Sequence, residues 1–202
     1  PIVFEDVEEG YTTEEKAVIP ESHKWVIVLT VPMDLENFMH TPSATESVSG
    51  LGYSQMHILG GMVAEFIRGL GYHAVPMAIQ AGLGHLGRHG RLITWKHGSM
   101  CRILKIFTDL PLAQSAMAPG GIVEFCEDCK KCAEMCPSQS ISSGRRSYET
   151  VSDANNPGAL KWYVDAEGCL DHWSVVESGC GICFRVCSFN KKPGLHHDVV
   201  KW

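Results

Sequence analysis

The chain's apolar and polar positions change pattern several times along its length, and each change predicts an element. The first 23 residues are polar and acidic, with Glu8, Glu9, Glu14, Glu15 and Glu21, and end in a turn-like stretch from Pro20 to His23. Trp25 to Val31 then reads WVIVLTV, an unbroken β-branched run closed by Pro32, which predicts a buried strand. Met39 to Gly52 is rich in Thr, Ser, Pro and Gly and reads as a loop near a site or surface. From Tyr53 to Leu70, Met56, Leu59, Met62, Val63, Phe66, Ile67 and Leu70 recur at three- and four-residue steps, with Gly71 placed to end a helix. Gly60 and Gly61 each weaken that helix by about 1 kcal/mol relative to Ala, so close packing against its backbone is expected there. Strands follow at Tyr72 to Met77 and Arg102 to Thr108, on either side of a glycine-rich loop from Gly82 to Gly90.

This alternation predicts an α/β region over residues 1–119. From Gly120 the periodicity fades and cysteines take over, so a boundary near Pro119-Gly120 sets off a second domain, 120–202. Within it, Ser142 to Pro157 is a polar insertion and Lys161 to Asp165 a short strand. Composition narrows the class: 202 residues at 45% apolar and 20% charged make an ordinary globular chain with core enough to fold without disulfides. A net charge of −6 excludes polyphosphate binding by bulk charge. No apolar run approaches the roughly 18 residues of a membrane span, being broken by Lys24, Asp34, Glu65 and Lys105. Starting at Pro1 without a Met or a signal region, the chain reads as an excised piece of something longer.

The chemistry lies in nine cysteines. Cys126, Cys129, Cys132 and Cys136 form C-x2-C-x2-C-x3-C followed by Pro137, the run of bacterial ferredoxins. Three thiolates of such a loop reach one cubane, and the fourth, beyond a helical turn, points away and needs a second cluster. Cys180, Cys183 and Cys187 supply it with C-x2-C-x3-C, and Cys169 precedes them by eleven residues. By the crossed ferredoxin pattern, Cys126, Cys129, Cys132 and Cys187 hold one [4Fe-4S] cluster and Cys136, Cys169, Cys180 and Cys183 the other. The long Cys169 to Cys180 interval and Ser188 in place of a proline depart from that pattern. Zinc fits the same ligands but favours two separated C-x2-C pairs. Cys101 is left over beside a predicted strand and reads as a small buried residue.

Gly82, Gly84 and Gly87 match G-x-G-x-x-G, yet the acid expected about 20 residues later falls near Arg102, and Arg88, His89, Gly90 and Arg91 open a helix poorly, which disfavours a dinucleotide site. The loop instead reads as tight turns or as backbone approaching something large and flat. No D-x-H-x-x-G sequence, the mark of a cobalamin held through a protein histidine, is present.

The segments VIPESHKWVIVLTVPMD (18–34), GYSQM (52–56), FIRGLGYHAVP (66–76), AGLGHLGRHGRLIT (81–94), TDLPL (108–112), EFCEDCKKCAEMCPSQSI (124–141) and GICFRVCSFNK (181–191) resemble the corrinoid-dependent reductive dehalogenases, over nearly the whole chain. The resemblance implies an α/β (α+β) fold, a nitroreductase-like corrinoid domain followed by a ferredoxin-like module with two [4Fe-4S] clusters. It implies base-off cobalamin over the loop of Gly82, Gly84, His85 and Gly87, and reductive cleavage of the carbon–halogen bond of an organohalide such as a chlorinated alkene. By motif position it implies Tyr53 as proton donor and Arg102 as its cationic helper. A guanidinium beside a phenol, whose pKa is ordinarily about 10, stabilises the phenolate and eases proton release. It further implies an electron-donor protein or quinol-linked chain, a membrane anchor subunit, and a peripheral place on the extracytoplasmic face of the cell membrane. The chain departs from the family in lacking a longer Asn-bearing segment between Pro76 and Ala81, the export signal and the N-terminal corrinoid-contacting region.

Two other functions stay open on the sequence. Epoxyqueuosine reductase pairs a corrinoid with two clusters but acts on transfer RNA, and a net charge of −6 without a Lys/Arg cluster argues against a nucleic-acid partner. A ferredoxin-type electron carrier would need the clusters alone.

Overall fold

The acidic N-terminal stretch forms strands. In the computed structural model, which describes residues 2–77, 84–116 and 118–190, β1 (Ile2–Glu5), β2 (Tyr11–Thr12) and β3 (Ala17–Pro20) make a sheet of order β1-β3-β2, with β1 parallel and β2 antiparallel to β3. Charge hides these strands in the sequence, because their apolar runs are only four residues long and are separated by glutamates. β4 (Trp25–Pro32) follows as expected. α1 (Leu35–Phe38) starts at Asp34, whose carboxylate accepts the Asn37 N–H at 3.0 Å. α2 runs Thr45–Gly69 and begins well before the expected Tyr53. Its Thr/Ser/Gly-rich first turns are helical because tertiary packing overrides propensity: Val48 is buried with Met33, Phe38 and Met100. β5 (Ala74–Met77), β6 (His85–Leu86), β7 (Leu92–Ile93) and β8 (Cys101–Thr108) come next. The helices α3 (Ile122–Asp128), α4 (Lys131–Glu134), α5 (Ala166–Val176) and α6 (Ile182–Arg185) complete the mixed α/β fold.

Two compact units divide the chain discontinuously. One gathers Pro1–Val31, Gly52–Gly82 and Arg102–Ala116; the other gathers Pro32–Leu51, Leu83–Cys101 and Met117–Trp202. The linear expectation of 1–119 and 120–202 places 32–51 and 83–101 with the first part, whereas both segments pack with the cysteine-bearing unit.

In the first unit, β8 is the middle strand of the order β4-β8-β5, and β5 runs antiparallel to it with Val75 opposite Phe107. α2 covers this sheet through Met56, Ala64 and Ile67, which are buried with Val31, Ala74, Leu104 and Ile106. Gly60 is the close approach that its sequence predicts, since an added Cβ would lie 2.6 Å from the Leu104 Cδ2. Gly61 faces away and meets nothing within 4 Å.

The second unit holds three smaller apolar nuclei: Ile93, Ile122 and Trp162 with Cys126 and Cys187; Met33, Phe38, Val48 and Met100; and Ala133 and Ile141 with Cys132 and Cys136. The strand expected at Lys161 to Asp165 is irregular backbone with two isolated bridges, Ser147 to Lys161 and Ile141 to Val164. Its buried aromatics are held by single side-chain bonds instead, from the Trp162 Nε1 to the Gly144 carbonyl at 3.0 Å and from the Tyr163 hydroxyl to the Ala159 carbonyl at 3.0 Å. Among the described residues, no helix is long and apolar enough to cross a membrane.

Candidate functional site

The first cysteine run folds as helix, extended residue, helix. Cys126 sits in α3, and Cys129 ends that helix with an extended backbone (φ −78°, ψ 106°). Cys132 sits in α4, and Cys136 follows it, donating its N–H to the Ala133 carbonyl at 3.2 Å. The extended backbone at Cys129 redirects the chain between two short helices, which is how the thiols of Cys126, Cys129 and Cys132, at two-residue spacing, face one space. Asp165 caps α5 by accepting the Gly168 N–H at 3.0 Å, and this sets Cys169 in the first turn of that helix. Cys180 and Cys183 bracket Gly181, whose left-handed backbone (φ +67°) turns the chain into α6. A Cβ there would strike the Thr41 hydroxyl at 2.6 Å, and that hydroxyl bonds the Cys180 carbonyl and Thr45.

The thiols gather in two sets. Burial, and then the neighbouring Cys187, Cys126 and Cys129, push the Cys132 thiol up to about 12. Cys187 is pushed up to about 11 by burial, with Cys126 and Cys129 adding to it. Cys169 is raised by burial and then by Cys136 and Cys180. Burial pushes Cys183 up to about 12, with the Arg91 charge opposing and Cys132, Cys169 and Cys180 adding. All nine cysteines are free of disulfides. Crowded thiols that resist ionisation by burial and mutual repulsion need a cation to become thiolates, and this donor set suits an iron–sulfur cluster in each group. Among the described residues, no group of three His, Cys, Asp or Glu side chains could hold a single metal ion; thiolates that share a cubane stand around a larger body.

Arg88 and His89, noted in the sequence only as a poor helix opening, are buried. Arg88 is 1% exposed. It donates to the carbonyls of Cys126 (3.0 Å), Ser142 (2.8 Å), Gly144 (2.8 Å) and Glu127 (3.1 Å), and lies 4.5 Å from the Trp162 ring centre. His89 is buried beside it, and burial pushes its pKa down to about 4. The signal that could have found them is position: polar residues between glycines and just ahead of a buried strand, where the chain has no solvent to turn to.

Tyr53 and Arg102 lie in the other unit and meet there. The Arg102 Nη1 donates to the Tyr53 hydroxyl oxygen at 3.3 Å, and its guanidinium carbon stands 4.1 Å from the ring centre. Arginine is a donor only, so the phenol oxygen accepts and its own proton stays free for another acceptor. Tyr53 is 48% exposed.

The described part of the glycine loop is a hairpin of β6 and β7, with His85 opposite Ile93. A Cβ at Gly84 would run into the Ile93 carbonyl oxygen, and one at Gly87 into the Ile93 side chain. The chain's own strand therefore fills the space those glycines leave, and they make no open cradle for a macrocycle. His85 donates its Nε2–H to the Pro119 carbonyl at 3.0 Å, which fixes Nε2 as the protonated nitrogen. Gly82 lies outside the described residues.

Residues 125–190 match the 4Fe-4S double cluster binding domain family. Across 213 aligned residues the whole chain is 37% identical to a tetrachloroethene reductive dehalogenase of Sulfurospirillum multivorans and covers 42% of it. It is 42% identical over 193 residues to a tetrachloroethene reductive dehalogenase of Desulfitobacterium hafniense, covering 88% of this chain and 35% of that protein. The fold aligns with a catabolic reductive dehalogenase solved in complex with 3-bromo-4-hydroxybenzoic acid, at a TM-score of 0.76 and 24% identity over 93% of this chain and 28% of the other. The chain spans less than half the length of these relatives, and over that span it is similar to the reductive dehalogenases.

Proposed function

We propose that this chain serves reductive dehalogenation of an organohalide, passing electrons through two [4Fe-4S] clusters and a proton through Tyr53. The observation that carries it is the Tyr53–Arg102 pair: a donor-only guanidinium on the phenol oxygen leaves the hydroxyl proton free to be given to another acceptor. The reaction balances as one carbon–halogen bond, two electrons and one proton giving one carbon–hydrogen bond and halide. Cys126, Cys129, Cys132 and Cys187 hold one cluster in this reading and Cys136, Cys169, Cys180 and Cys183 the other, in keeping with the way the thiols gather. Two one-electron carriers supply the pair of electrons.

By family resemblance, a base-off corrinoid would supply low-potential electrons at cobalt. The described residues present no open cradle for it. Gly84 and Gly87 serve the hairpin itself, and a corrinoid in this reading would meet at most the His85 side of it. A chlorinated alkene is the proposed substrate, since the two relatives are named for tetrachloroethene. The electrons come from a donor protein or quinol-linked chain, at an anchor subunit on the outer face of the cell membrane.

Chloride release from a chlorinated ethene, by anaerobically prepared protein saturated with cobalamin, tests the reading. Tyr53→Phe is expected to lower the rate by about 10²- to 10⁴-fold, the range of a lost general acid, with iron per chain unchanged. An active Tyr53→Phe protein overturns the proton-donor role. Wild-type protein with full iron but no chloride release favours the ferredoxin-type carrier, a reading to which the filled glycine loop lends weight.

A further inference from the structure

The space between Cys126, Cys129, Cys132 and Cys187 has a polar wall that the cysteines do not supply. His89 lines it and is 4% exposed. Three constraints set its ring. The Nδ1 accepts the Arg91 backbone N–H at 3.2 Å. The ring stacks on Phe184, with centroids 5.6 Å apart and planes inclined by 17°. Arg88, the preceding residue, is tied to the carbonyls of Cys126 and Glu127 on the helix that carries the first thiol. With Nδ1 as acceptor, the neutral ring carries its proton on Nε2. That N–H is buried and has no hydrogen-bond partner, thiol sulfur included. Orphaned buried donors are rare in folded proteins, and one beside four gathered thiols has an evident acceptor in the sulfur of a cluster.

We propose that His89 is a positioning residue for the cluster of Cys126, Cys129, Cys132 and Cys187, donating its Nε2–H to a sulfur of that cluster and holding its reduction potential up. Reduction adds negative charge to the cluster sulfurs, so a fixed donor stabilises the reduced form more than the oxidised form. Arg88 holds the loop backbone in place, and Phe184 and the Arg91 N–H fix the ring. This inference goes beyond the dehalogenation reading and rests only on the ligand set.

The test uses protein labelled with ¹⁵N-histidine, prepared anaerobically and reduced. Pulsed EPR is expected to show a histidine nitrogen coupled to a cluster, absent in His89→Phe, which keeps a stacking ring without the N–H. In a redox titration the same variant is expected to weaken the reduction equilibrium of one cluster by about tenfold, about 59 mV for one electron, leaving the other cluster unmoved. Cys129→Ser, which removes the first cluster, is expected to abolish the coupling. The proposal is overturned by wild-type clusters without nitrogen coupling, by coupling that survives His89→Phe or Cys129→Ser, or by unchanged potentials at full iron content. If His89→Phe loses iron, the wild-type and Cys129→Ser couplings decide. Wild-type protein that holds no cluster overturns the ligand set and this inference together. Chloride release enters none of these readouts, so failure of the dehalogenation reading is told apart.

Discussion

Arg88 carries a full charge at 1% exposure, and its partners are four backbone carbonyls and the face of Trp162. The carbonyls belong to α3 and to Ser142 and Gly144, so one side chain joins the first cysteine helix to the polar insertion. Arg88→Met leaves those carbonyls buried without donors and is expected to cost about 3 kcal/mol or more, read from denaturant midpoints at unchanged m-value. Arg88→Lys keeps the charge but loses the planar fork, and is expected to fall between. A wild-type midpoint for Arg88→Met would mean that other groups satisfy those carbonyls. The eight cysteines of the two proposed ligand sets stand out in the sequence because their spacing is local and chemical. Arg88 and His89 do not, since nothing in a polar tetrad says that the chain will wrap over it.

At the scale of the element, α2 shows what periodicity can and cannot tell. Its helical period was readable from Met56 to Ile67, although Met62 and Phe66 of the expected apolar stripe are exposed, and its start at Thr45 was hidden by residues that read as a loop. Those first turns are held by distant chain: the Gly179 N–H donates to the Glu46 carboxylate at 3.2 Å, and Thr45 bonds Thr41. The adjacent glycines also have opposite reasons for being there. Gly60→Ala places a methyl 2.6 Å from Leu104, and the overpacking costs about 1–3 kcal/mol against about 1 kcal/mol of helix propensity gained. Gly61→Ala has open space and keeps the whole gain of about 1 kcal/mol. The two variants are therefore expected to move the melting temperature in opposite directions, Gly60→Ala down and Gly61→Ala up. A rise for both would show that Leu104 yields without cost. On its other face, α2 exposes Ile58, Met62 and Phe66, each more than 60% exposed, so its sequence pattern alone did not say which apolar stripe is buried.

For the molecule as a whole, the division into two units predicts how it responds to loss of iron. The first unit has an apolar core without cysteine, of Val31, Met56, Ala64, Ile67, Ala74, Leu104 and Ile106. In the second, two of the three nuclei are built partly from cluster cysteines, Cys126 and Cys187 in one and Cys132 and Cys136 in another. Its helices α4 and α6 are four residues each, too short to persist by their own propensity. Clusters on the proposed ligands would make iron part of that unit's core. Each ligation displaces a proton from a thiol that burial raises, to about 12 at Cys132 and Cys183, so protons compete harder as pH falls and acid is expected to speed iron loss. Chelation at neutral pH followed by hydrogen exchange is expected to expose the amides of α3 to α6. Those of β4, β8 and the sheet-facing half of α2 stay protected. Uniform loss of protection along the chain would show that the two units fold as one and that the apolar core of the first does not stand without the clusters of the second.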